Sequence, residues 1–252
     1  MSHAAFQLIS LRPVDRHDGL RSAAARRNGR VMAMSPRRIV QRADAETRAD
    51  LVDALGCTYV VFTSPDAVRA AHRVQTFAPK QDHHFFGVGE GTRRALQRAG
   101  VADARAPTRM DSEGLMSLPE MVALRRGDRV GLVTAPGGRG EIAKQLQARG
   151  VQVIRADVYE REAVIISSAA WQRLQQTLGD AASLHVLALS SGEAFTEWLA
   201  QCPAELSKPL RMIDIVASSE RLANLARDHG FDRIAIAESA RPHDLIAAIN
   251  LA

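Results

Sequence analysis

Short apolar runs and amphipathic segments alternate along the whole chain, and this alternation constrains the fold more than any other feature of the sequence. Runs rich in Val, Ile and Phe that end at turn residues predict β-strands. The predicted strands cover residues 6–11, 30–34, 59–63, 84–88, 130–134, 152–154, 185–190, 212–217 and 233–237. The predicted helices cover residues 15–28, 45–55, 65–75, 91–99, 112–123, 139–149, 169–178, 192–200, 219–229 and 242–250. Such alternation predicts an α/β fold with parallel sheets and helices on both faces of each sheet.

Length and composition restrict the class of protein further. A chain of 252 residues suits one large or two small domains. Apolar residues make up 46% of it, which excludes intrinsic disorder because there is enough apolar surface to build a core. The longest apolar runs are far shorter than a membrane span, and the first residues do not resemble a secretory signal. Cys57 and Cys202 lie in unrelated segments, so we expect two reduced thiols in a cytoplasmic protein without a membrane partner.

The positive charge of the chain is concentrated near its beginning. The formal net charge is +5, and residues 1–42 hold nine Arg against two Asp. A basic segment is one signature of nucleic-acid binding. However, the chain has no basic tract with interleaved aromatic residues and no zinc-ligand spacing. A solvated basic face, or a site for an anionic small molecule, explains the charge equally well, and we expect no nucleic-acid partner.

The two halves of the chain resemble each other at a constant interval. The segment around Thr63 is similar to the segment around Ser190, and the segment around Thr92 is similar to the segment around Ser219. Both pairs are 127 residues apart, which favours a duplicated α/β unit. Two extended, charged segments, 37–42 and 158–165, interrupt the pattern at equivalent places and could pair as linker strands between two lobes.

Familiar catalytic motifs are absent from the sequence. There is no GxSxG, HExxH, CxxC or phosphate-binding loop, and the adjacent pair His83 and His84 would point to opposite faces of a strand. The segment 87–92 is similar to a dinucleotide-binding loop, but Thr92 stands where the last glycine is required. We therefore expect neither a metal nor another cofactor.

Small and hydroxyl residues follow the predicted strands at five places, and this repetition predicts a binding site. In open α/β sheets, ligands bind at the carboxyl ends of the strands, where helix amides and short side chains allow close approach. At any one junction, the same residues could simply cap a helix. The junction residues predicted to bind a ligand are Thr63, Ser64, Gly89, Thr92, Ser190, Ser191 and Ser219. Amides and hydroxyls without a well-placed Lys suit a polycarboxylate better than a phosphate.

Tyr159 is the ionisable side chain that we single out for chemistry. It lies in the charged segment 158–165, where it could face a cleft between two lobes. A phenol can donate a proton to a departing oxygen while remaining uncharged at neutral pH. The alternative is a tyrosine that only packs the linker, since tyrosines often bury the ring and keep the hydroxyl hydrated.

The motifs and their order resemble those of the uroporphyrinogen-III synthase family over nearly the whole chain. The matching segments are LISLRP, FTSPDAVRAA, VGEGTRRAL, DSEGL, GGRGEIAKQLQARGVQV, VYER, SSGEAF, SSERLANLARDHGF and AIAESA. The stretch Thr134-Ala135-Pro136 and the continuation after Ser190-Ser191 depart from the usual family pattern. These segments add Arg12, Ser112, Gly138 and Arg139 to the expected substrate-binding residues, and they match Tyr159 to the tyrosine that is thought to assist loss of the hydroxyl group.

The resemblance implies two similar α/β lobes joined by a two-stranded linker, with a discontinuous, crossed chain. The first lobe would take residues 1–35 and 165–252, the second would take residues 43–157, and residues 36–42 and 158–164 would form the linker strands.

The resemblance also implies an activity. The chain would be a carbon–oxygen lyase that cyclises hydroxymethylbilane, a linear tetrapyrrole with eight carboxylates, with inversion of ring D and loss of water, in haem biosynthesis. Such a reaction depends mainly on holding the substrate in one conformation. We expect a monomer that needs no cofactor. A two-lobed protein that binds a small anion without catalysis would share these features and is the alternative.

Overall fold

The computed structural model describes residues 5–109, 111–137, 140–180 and 183–250. Its strands are β1 (Phe6–Ser10), β2 (Gly29–Ala33), β3 (Arg37–Gln41), β4 (Tyr59–Phe62), β5 (His84–Gly87), β6 (Arg129–Thr134), β7 (Gln152–Asp157), β8 (Tyr159–Ala163), β9 (Leu184–Leu189), β10 (Asp214–Ala217) and β11 (Ile234–Ile236). Its helices are α1 (Asp18–Ala25), α2 (Ala45–Leu55), α3 (Pro65–Val74), α4 (Glu90–Arg98), α5 (Ser112–Met116), α6 (Pro119–Ala123), α7 (Glu141–Ala148), α8 (Ser168–Leu178), α9 (Gly192–Ala200), α10 (Ala204–Leu210), α11 (Glu220–Asp228) and α12 (Pro242–Ala247). None of the helices in these residues is long and apolar enough to cross a membrane.

The chain divides into two compact units. Unit 1 comprises the described residues of Met1–Arg38 and Glu162–Ala252, and unit 2 comprises those of Ile39–Arg161. Unit 1 holds a five-stranded sheet in the order β11-β10-β9-β1-β2, and unit 2 holds a four-stranded sheet in the order β5-β4-β6-β7. All pairings within these two sheets are parallel. The predicted α/β class with parallel sheets is therefore confirmed.

The two sheets share one strand order. The order β5-β4-β6-β7 in unit 2 corresponds, strand by strand, to the order β10-β9-β1-β2 in unit 1. The corresponding strands β4 and β9 are each followed by a helix that a serine caps. Ser64 caps α3 and Ser191 caps α9, 127 residues later. The next junction differs, because the residue that precedes α4 is Gly89 and the one that precedes α11 is Ser219, 130 residues later. The predicted match of Thr92 with Ser219 is thus wrong by three residues, although the repeated strand order stands.

Each sheet is covered on both faces, since successive residues of a strand point to opposite sides. In β1, Leu8 packs in a cluster with residues of α1 and α12, whereas Ile9 packs in a cluster with residues of α8, α9 and α11. In β4, Val61 packs with residues of α5, α6 and α7, and Phe62 packs with residues of α2, α3 and α4.

Strands β3 and β8 form a separate two-stranded sheet where the chain passes from one unit to the other. The amide of Arg42 donates to the carbonyl of Val158 at 3.0 Å, and the amide of Val164 donates to the carbonyl of Pro36 at 2.7 Å. These hydrogen bonds flank the two strands at opposite ends, so the strands are antiparallel.

Three helix predictions need correction. The predicted helix 112–123 is two helices, because Leu118 precedes Pro119 and takes an extended conformation instead of a helical one. Helix α1 begins at Asp18 and not at residue 15, since Asp15 has a left-handed backbone with φ 61°. Helix α10 was not predicted, because prolines at 203 and 209 usually interrupt a helix. In the structure, Pro203 lies just before the first helical residue, and Pro209 lies inside the helix near its end.

Two glycines permit close packing that no other residue would allow. A Cβ atom on Gly131 in β6 would lie 2.0 Å from the carbonyl oxygen of Ala54 in α2. A Cβ atom on Gly29 in β2 would lie 2.1 Å from the ring of Phe6. Both glycines sit in strands, where the missing side chain allows a neighbouring element to approach.

Candidate functional site

The carboxyl ends of β4 and β6 bring two threonines together in unit 2. Thr63 directly follows β4, and Thr134 is the last residue of β6. The amide of Thr63 donates to the carbonyl of Val133 at 3.2 Å, which extends the strand pairing by one residue. As a result the two threonine hydroxyls lie 2.8 Å apart, in hydrogen-bond contact.

These hydroxyls border a cavity of about 210 Å³ that lies wholly within unit 2. Three predicted residues line it: Thr63, Ser64 and Ser112. The remaining lining is Val88, Leu132, Thr134, Ala135, Gly137, Gly140, Glu141, Ile142, Ala143, Arg155 and Arg161. The wall therefore carries four side-chain hydroxyls, two guanidinium groups and one carboxylate, that of Glu141, together with apolar side chains. Convergent polar groups on an apolar wall are typical of a ligand-binding site.

Ser64 connects the cavity to Tyr159. It caps α3, and its Oγ accepts a hydrogen bond from the amide of Ala67 at 3.1 Å. The same Oγ lies 3.1 Å from the hydroxyl of Tyr159. The Tyr159 side chain is only 1% exposed and belongs to the core of unit 2, so the cavity reaches the phenol through Ser64.

Arg161 stands on the other side of the phenol. Its Nη2 donates to the Tyr159 hydroxyl at 2.8 Å, and its guanidinium carbon lies 5.2 Å from the centre of the Tyr159 ring. Among the described residues, no carboxylate lies within ion-pair distance of Arg161. Arg155 differs, because it binds Asp157 at 2.9 Å and donates to the carbonyl of Ala135 at 3.0 Å. Arg161 is thus the lining cation whose charge remains available to an anionic ligand.

Gly89 and Thr92 do not line this cavity. Thr92 lies in the first turn of α4 and is only 4% exposed. It packs closely against Gly87, since a Cβ atom added to Gly87 would lie 2.8 Å from the Cβ atom of Thr92. Glu90, in the same turn, binds Arg93 and Arg94, and these hydrogen bonds lower its pKa to about 2. A carboxylate anchored at the start of α4 competes with any anion for the helix amides.

The predicted residues of unit 1 lie at the carboxyl ends of its own sheet. Ser190 follows β9, and the hydroxyl of Ser191 accepts from the amide of Ala194 at 3.3 Å as the cap of α9. Ser219 precedes α11 without such a cap hydrogen bond. Gly138 and Arg139 lie outside the described residues.

Arg12 follows β1, at the same edge of the unit 1 sheet. It is half-buried, and burial lowers the pKa of its guanidinium. The Nη2 atom of Arg12 donates a hydrogen bond to the carbonyl oxygen of Ala240 at 2.7 Å.

Sequence reasoning missed three charged or titratable residues: Arg155, Arg161 and His17. Arg161 lies two residues after Tyr159, so a strand with side chains alternating between its faces would have placed both on one side. His17 carried no signal, because it falls inside a segment predicted as helix. In the part of the chain that the structure describes, no group of His, Cys, Asp and Glu side chains could hold a metal ion, and Cys57 and Cys202 are free thiols.

The duplicated parallel sheets and the polar strand ends define a two-unit α/β protein with a cavity lined by hydroxyl groups and arginines at the carboxyl edge of one sheet. The family model for "Uroporphyrinogen-III synthase HemD" matches residues 18–247. The chain therefore belongs to the uroporphyrinogen-III synthase family, whose members are enzymes of tetrapyrrole biosynthesis.

Relatives in two enteric bacteria support this membership. The uroporphyrinogen-III synthase of Salmonella typhimurium is 31% identical over 205 residues, which cover 81% of this chain and 79% of that protein. The Escherichia coli enzyme of the same name is 29% identical over 214 residues, which cover 80% and 82% of the two chains.

Solved structures share the fold. A mutant uroporphyrinogen III synthase from Thermus thermophilus matches 96% of each chain with a TM-score of 0.61 and 16% identity. The Helicobacter pylori enzyme matches 96% of this chain and 97% of its own with a TM-score of 0.61 and 13% identity.

Proposed function

We propose that the protein cyclises hydroxymethylbilane to uroporphyrinogen III, with inversion of ring D and loss of water. The observation that carries the proposal is the hydroxyl-lined cavity of unit 2, with Tyr159 held behind Ser64, in a chain of this family. The cavity would take the hydroxymethyl end of the bilane. Arg161 would bind a substrate carboxylate there.

The hydrogen bonds around Tyr159 provide a route along which a proton can move. A guanidinium only donates, so the phenol oxygen accepts from Arg161; either hydroxyl of the Tyr159–Ser64 pair can donate to the other, and we assign this hydrogen to Tyr159. Ser64 Oγ then accepts from both Tyr159 and the Ala67 amide, which leaves its hydrogen to point elsewhere. We infer that Ser64 directs this hydrogen to the departing hydroxyl group of the substrate.

The elimination follows from this arrangement. The pyrrole nitrogen lone pair expels the hydroxyl group as the carbon–oxygen bond breaks. A proton passes from Ser64 to the leaving oxygen to form water, and the Tyr159 proton replaces it. Arg161 stabilises the resulting phenolate. The substituted carbon of ring D attacks the resulting electrophilic carbon and forms a spiro intermediate. The bond from that ring D carbon to its original bridge carbon then breaks, and the bridge carbon bonds to the unsubstituted carbon of ring D. The proton that this carbon loses as the pyrrole regains its aromatic character restores the phenol. The net loss is one water molecule.

Most of the rate advantage would come from orientation, because the bilane also cyclises without enzyme to the uninverted isomer. Holding reacting atoms in an attack geometry can replace a large part of an entropic barrier. We propose that the strand-end residues Thr63, Ser64, Gly89, Thr92, Ser190, Ser191 and Ser219 bind the substrate, together with Arg12, Ser112, Gly138 and Arg139 from the family match.

One assay tests the proposal and distinguishes its alternative. Purified protein is mixed with freshly prepared hydroxymethylbilane, the product is oxidised, and the isomers are separated by chromatography. We expect the inverted isomer to predominate. A protein that binds the bilane but leaves the uninverted isomer as the product would be an anion-binding protein without this activity.

We also propose that the protein works as a cytoplasmic monomer that binds no nucleic acid. Sedimentation at micromolar concentration tests the oligomeric state. Retention on a DNA column that falls steeply with salt would contradict the last part, because phosphate contacts release counterions.

A further inference from the structure

A buried histidine connects the carboxyl ends of strand β1 and of its neighbour at the sheet edge, β2, in unit 1. His17 is 2% exposed and precedes α1. Its Nδ1 lies 2.9 Å from the hydroxyl of Ser10, the last residue of β1, and its Nε2 lies 2.8 Å from the hydroxyl of Ser35, just after β2. Both ring nitrogens therefore have partners, and the loop between β1 and α1 is fastened at its end.

The same loop is fastened at two further points. The amide of Val14 donates to the carbonyl of Arg37 at 2.9 Å, and the guanidinium of Arg12 donates to the carbonyl of Ala240 at 2.7 Å. Arg12 therefore has a fixed position at the carboxyl end of β1, instead of the mobility of a surface arginine.

The charge of Arg12 lacks compensation. Among the described residues, no carboxylate lies within ion-pair distance of its guanidinium, although the side chain is half-buried. Buried charges are normally paired, and an unpaired one at the ligand-binding edge of a sheet indicates an anionic ligand. Arg21 makes the contrast clear, because it is exposed and binds Asp18 at 3.1 Å.

His17 remains neutral beside this cation. Burial is the main cause that lowers its pKa, to about 4, and the positive charges of Arg21 and Arg12 act in the same direction against the weaker opposing effect of Asp18 and Asp15. A neutral imidazole can join the two serine hydroxyls without bringing a second positive charge or a competing carboxylate to Arg12.

We propose that Arg12 is the binding group of a carboxylate subsite on unit 1, and that His17 is the positioning residue that holds the Arg12 loop in place. The subsite rests on the proposed function for the identity of its ligand, a carboxylate of the tetrapyrrole. A guanidinium suits this ligand because its planar donors can contact both carboxylate oxygens.

The first test is steady-state kinetics with hydroxymethylbilane, combined with equilibrium titration by uroporphyrin, which also has eight carboxylates. We expect Arg12→Gln to raise KM and to weaken uroporphyrin binding by about 10- to 100-fold, the range for a lost hydrogen bond to a charged group. The value of kcat should change less than about threefold, because the contact persists throughout the reaction. Arg12→Lys should recover part of the affinity, and Arg21→Gln serves as the matched control with unchanged constants.

The second test asks whether His17 acts through Arg12. We expect His17→Ala to raise KM by about 5- to 20-fold in the wild-type background but less than about twofold when Arg12 is already Gln, because residues of one network are not additive. A merely structural role would instead give the same factor in both backgrounds. Thermal unfolding of each variant shows whether it is folded, and His17→Gln, which can still reach one serine, replaces His17→Ala if the latter does not fold.

The outcomes separate the subsite from the proposed function. Wild-type turnover with an unchanged KM for Arg12→Gln overturns the subsite and leaves the function standing. Wild-type protein that does not convert the bilane overturns the function, and the uroporphyrin titration then decides the subsite by itself: equal affinity of wild type and Arg12→Gln overturns it.

Discussion

A single phenol joins the core of unit 2 to its cavity. The ring of Tyr159 is buried, while its oxygen meets a donor-only cation, Arg161, and a serine hydroxyl, Ser64. This arrangement places the phenol in hydrogen-bond contact with both a cation and a hydroxyl of the cavity wall. Within unit 2, the phenol contacts the cavity through Ser64, which is part of the cavity wall.

The first prediction is the effect of Tyr159→Phe. This change keeps the ring and its packing and deletes only the hydroxyl. We expect kcat to fall by about 10²–10⁴-fold, the usual worth of general acid catalysis. We expect the stability of the protein to change by about 1 kcal/mol, as for a neutral hydrogen bond. Stopped-time assays with isomer separation measure the rate.

The product distribution provides the control for this prediction. The enzymatic product should remain the inverted isomer, because substrate orientation does not depend on the phenol. Wild-type kinetics in Tyr159→Phe would remove the phenol from the mechanism. A change to the uninverted isomer would show that the hydroxyl positions the substrate.

The second prediction concerns Thr63, whose hydroxyl contacts that of Thr134. We expect Thr63→Ala to lower kcat/KM only several-fold, in line with about 0.5–1.5 kcal/mol for a neutral hydrogen bond. Thr63→Ser, which keeps the hydroxyl, is the control and should retain nearly full activity. A loss beyond a thousandfold in a folded Thr63→Ala protein would reveal a catalytic role that the structure does not indicate.

At the scale of elements, strands were more predictable than helix boundaries. The predicted strand at 59–63 matches β4 within one residue, because a buried parallel strand needs a continuous apolar run. Helix α10 was not predicted because it contains Pro209, which disfavours a helix locally. The helix forms nevertheless, since Leu206 and Leu210 pack into the hydrophobic core of unit 1. The predicted helix 112–123 ignored the effect of Pro119 on the residue before it.

The site was predictable in its location but not in its charges. Thr63 and Ser64 line the cavity as the strand-end rule suggests, and Ser112, which the family resemblance added, lines it as well. Thr92 follows the same sequence pattern, yet it packs inward because Gly87 leaves room for it. The rule could not identify Arg155, Arg161 or His17, since it selects only small and hydroxyl residues directly after strands. It takes no account of the ion pairs and hydrogen bonds that longer side chains form in three dimensions.

The third prediction tests the close approach of α2 to β6. We expect Gly131→Ala to destabilise the protein by about 1–3 kcal/mol, because the new methyl group would collide with the backbone of Ala54 and force the helix away. Urea unfolding measures the change. Gly91→Ala is the matched control: its Cβ would meet nothing closer than 3.7 Å in α4, and we expect unchanged or slightly higher stability. Equal stability of both variants would contradict the tight packing.

At the scale of the whole molecule, the two units differ in continuity. Unit 2 is one uninterrupted stretch, and both of its hydrophobic clusters lie between Ile39 and Arg161. The fourth prediction is that a fragment of residues 39–161 folds by itself, with helical circular dichroism and a single cooperative urea transition. A fragment with the spectrum of an unfolded chain would show that unit 2 needs unit 1.

The fifth prediction is a pH dependence of global stability that arises from His17. Its pKa is about 4 in the folded protein against about 6.5 when unfolded, so the unfolded chain binds the proton first as pH falls. The free energy of unfolding should therefore be highest above pH 6.5 and fall by up to about 3 kcal/mol on approach to pH 4. Urea titrations from pH 7.5 to 4.5 measure this loss, which should be smaller in His17→Gln. Parallel curves for the two proteins would contradict it.

Because unit 1 is built from two distant parts of the chain, its sheet can be completed only late in synthesis. Strand β1 lies between β2 and β9, so one of its edges lacks a partner until residue 189 has left the ribosome. At roughly 5–20 residues per second, the nascent β1–β2 pair waits for about 10–30 seconds with apolar residues uncovered. Unit 2 can mature within that interval. The speed of translation between β2 and β9, and the chaperones that shield an unpaired strand edge, should therefore govern how much protein reaches the native state.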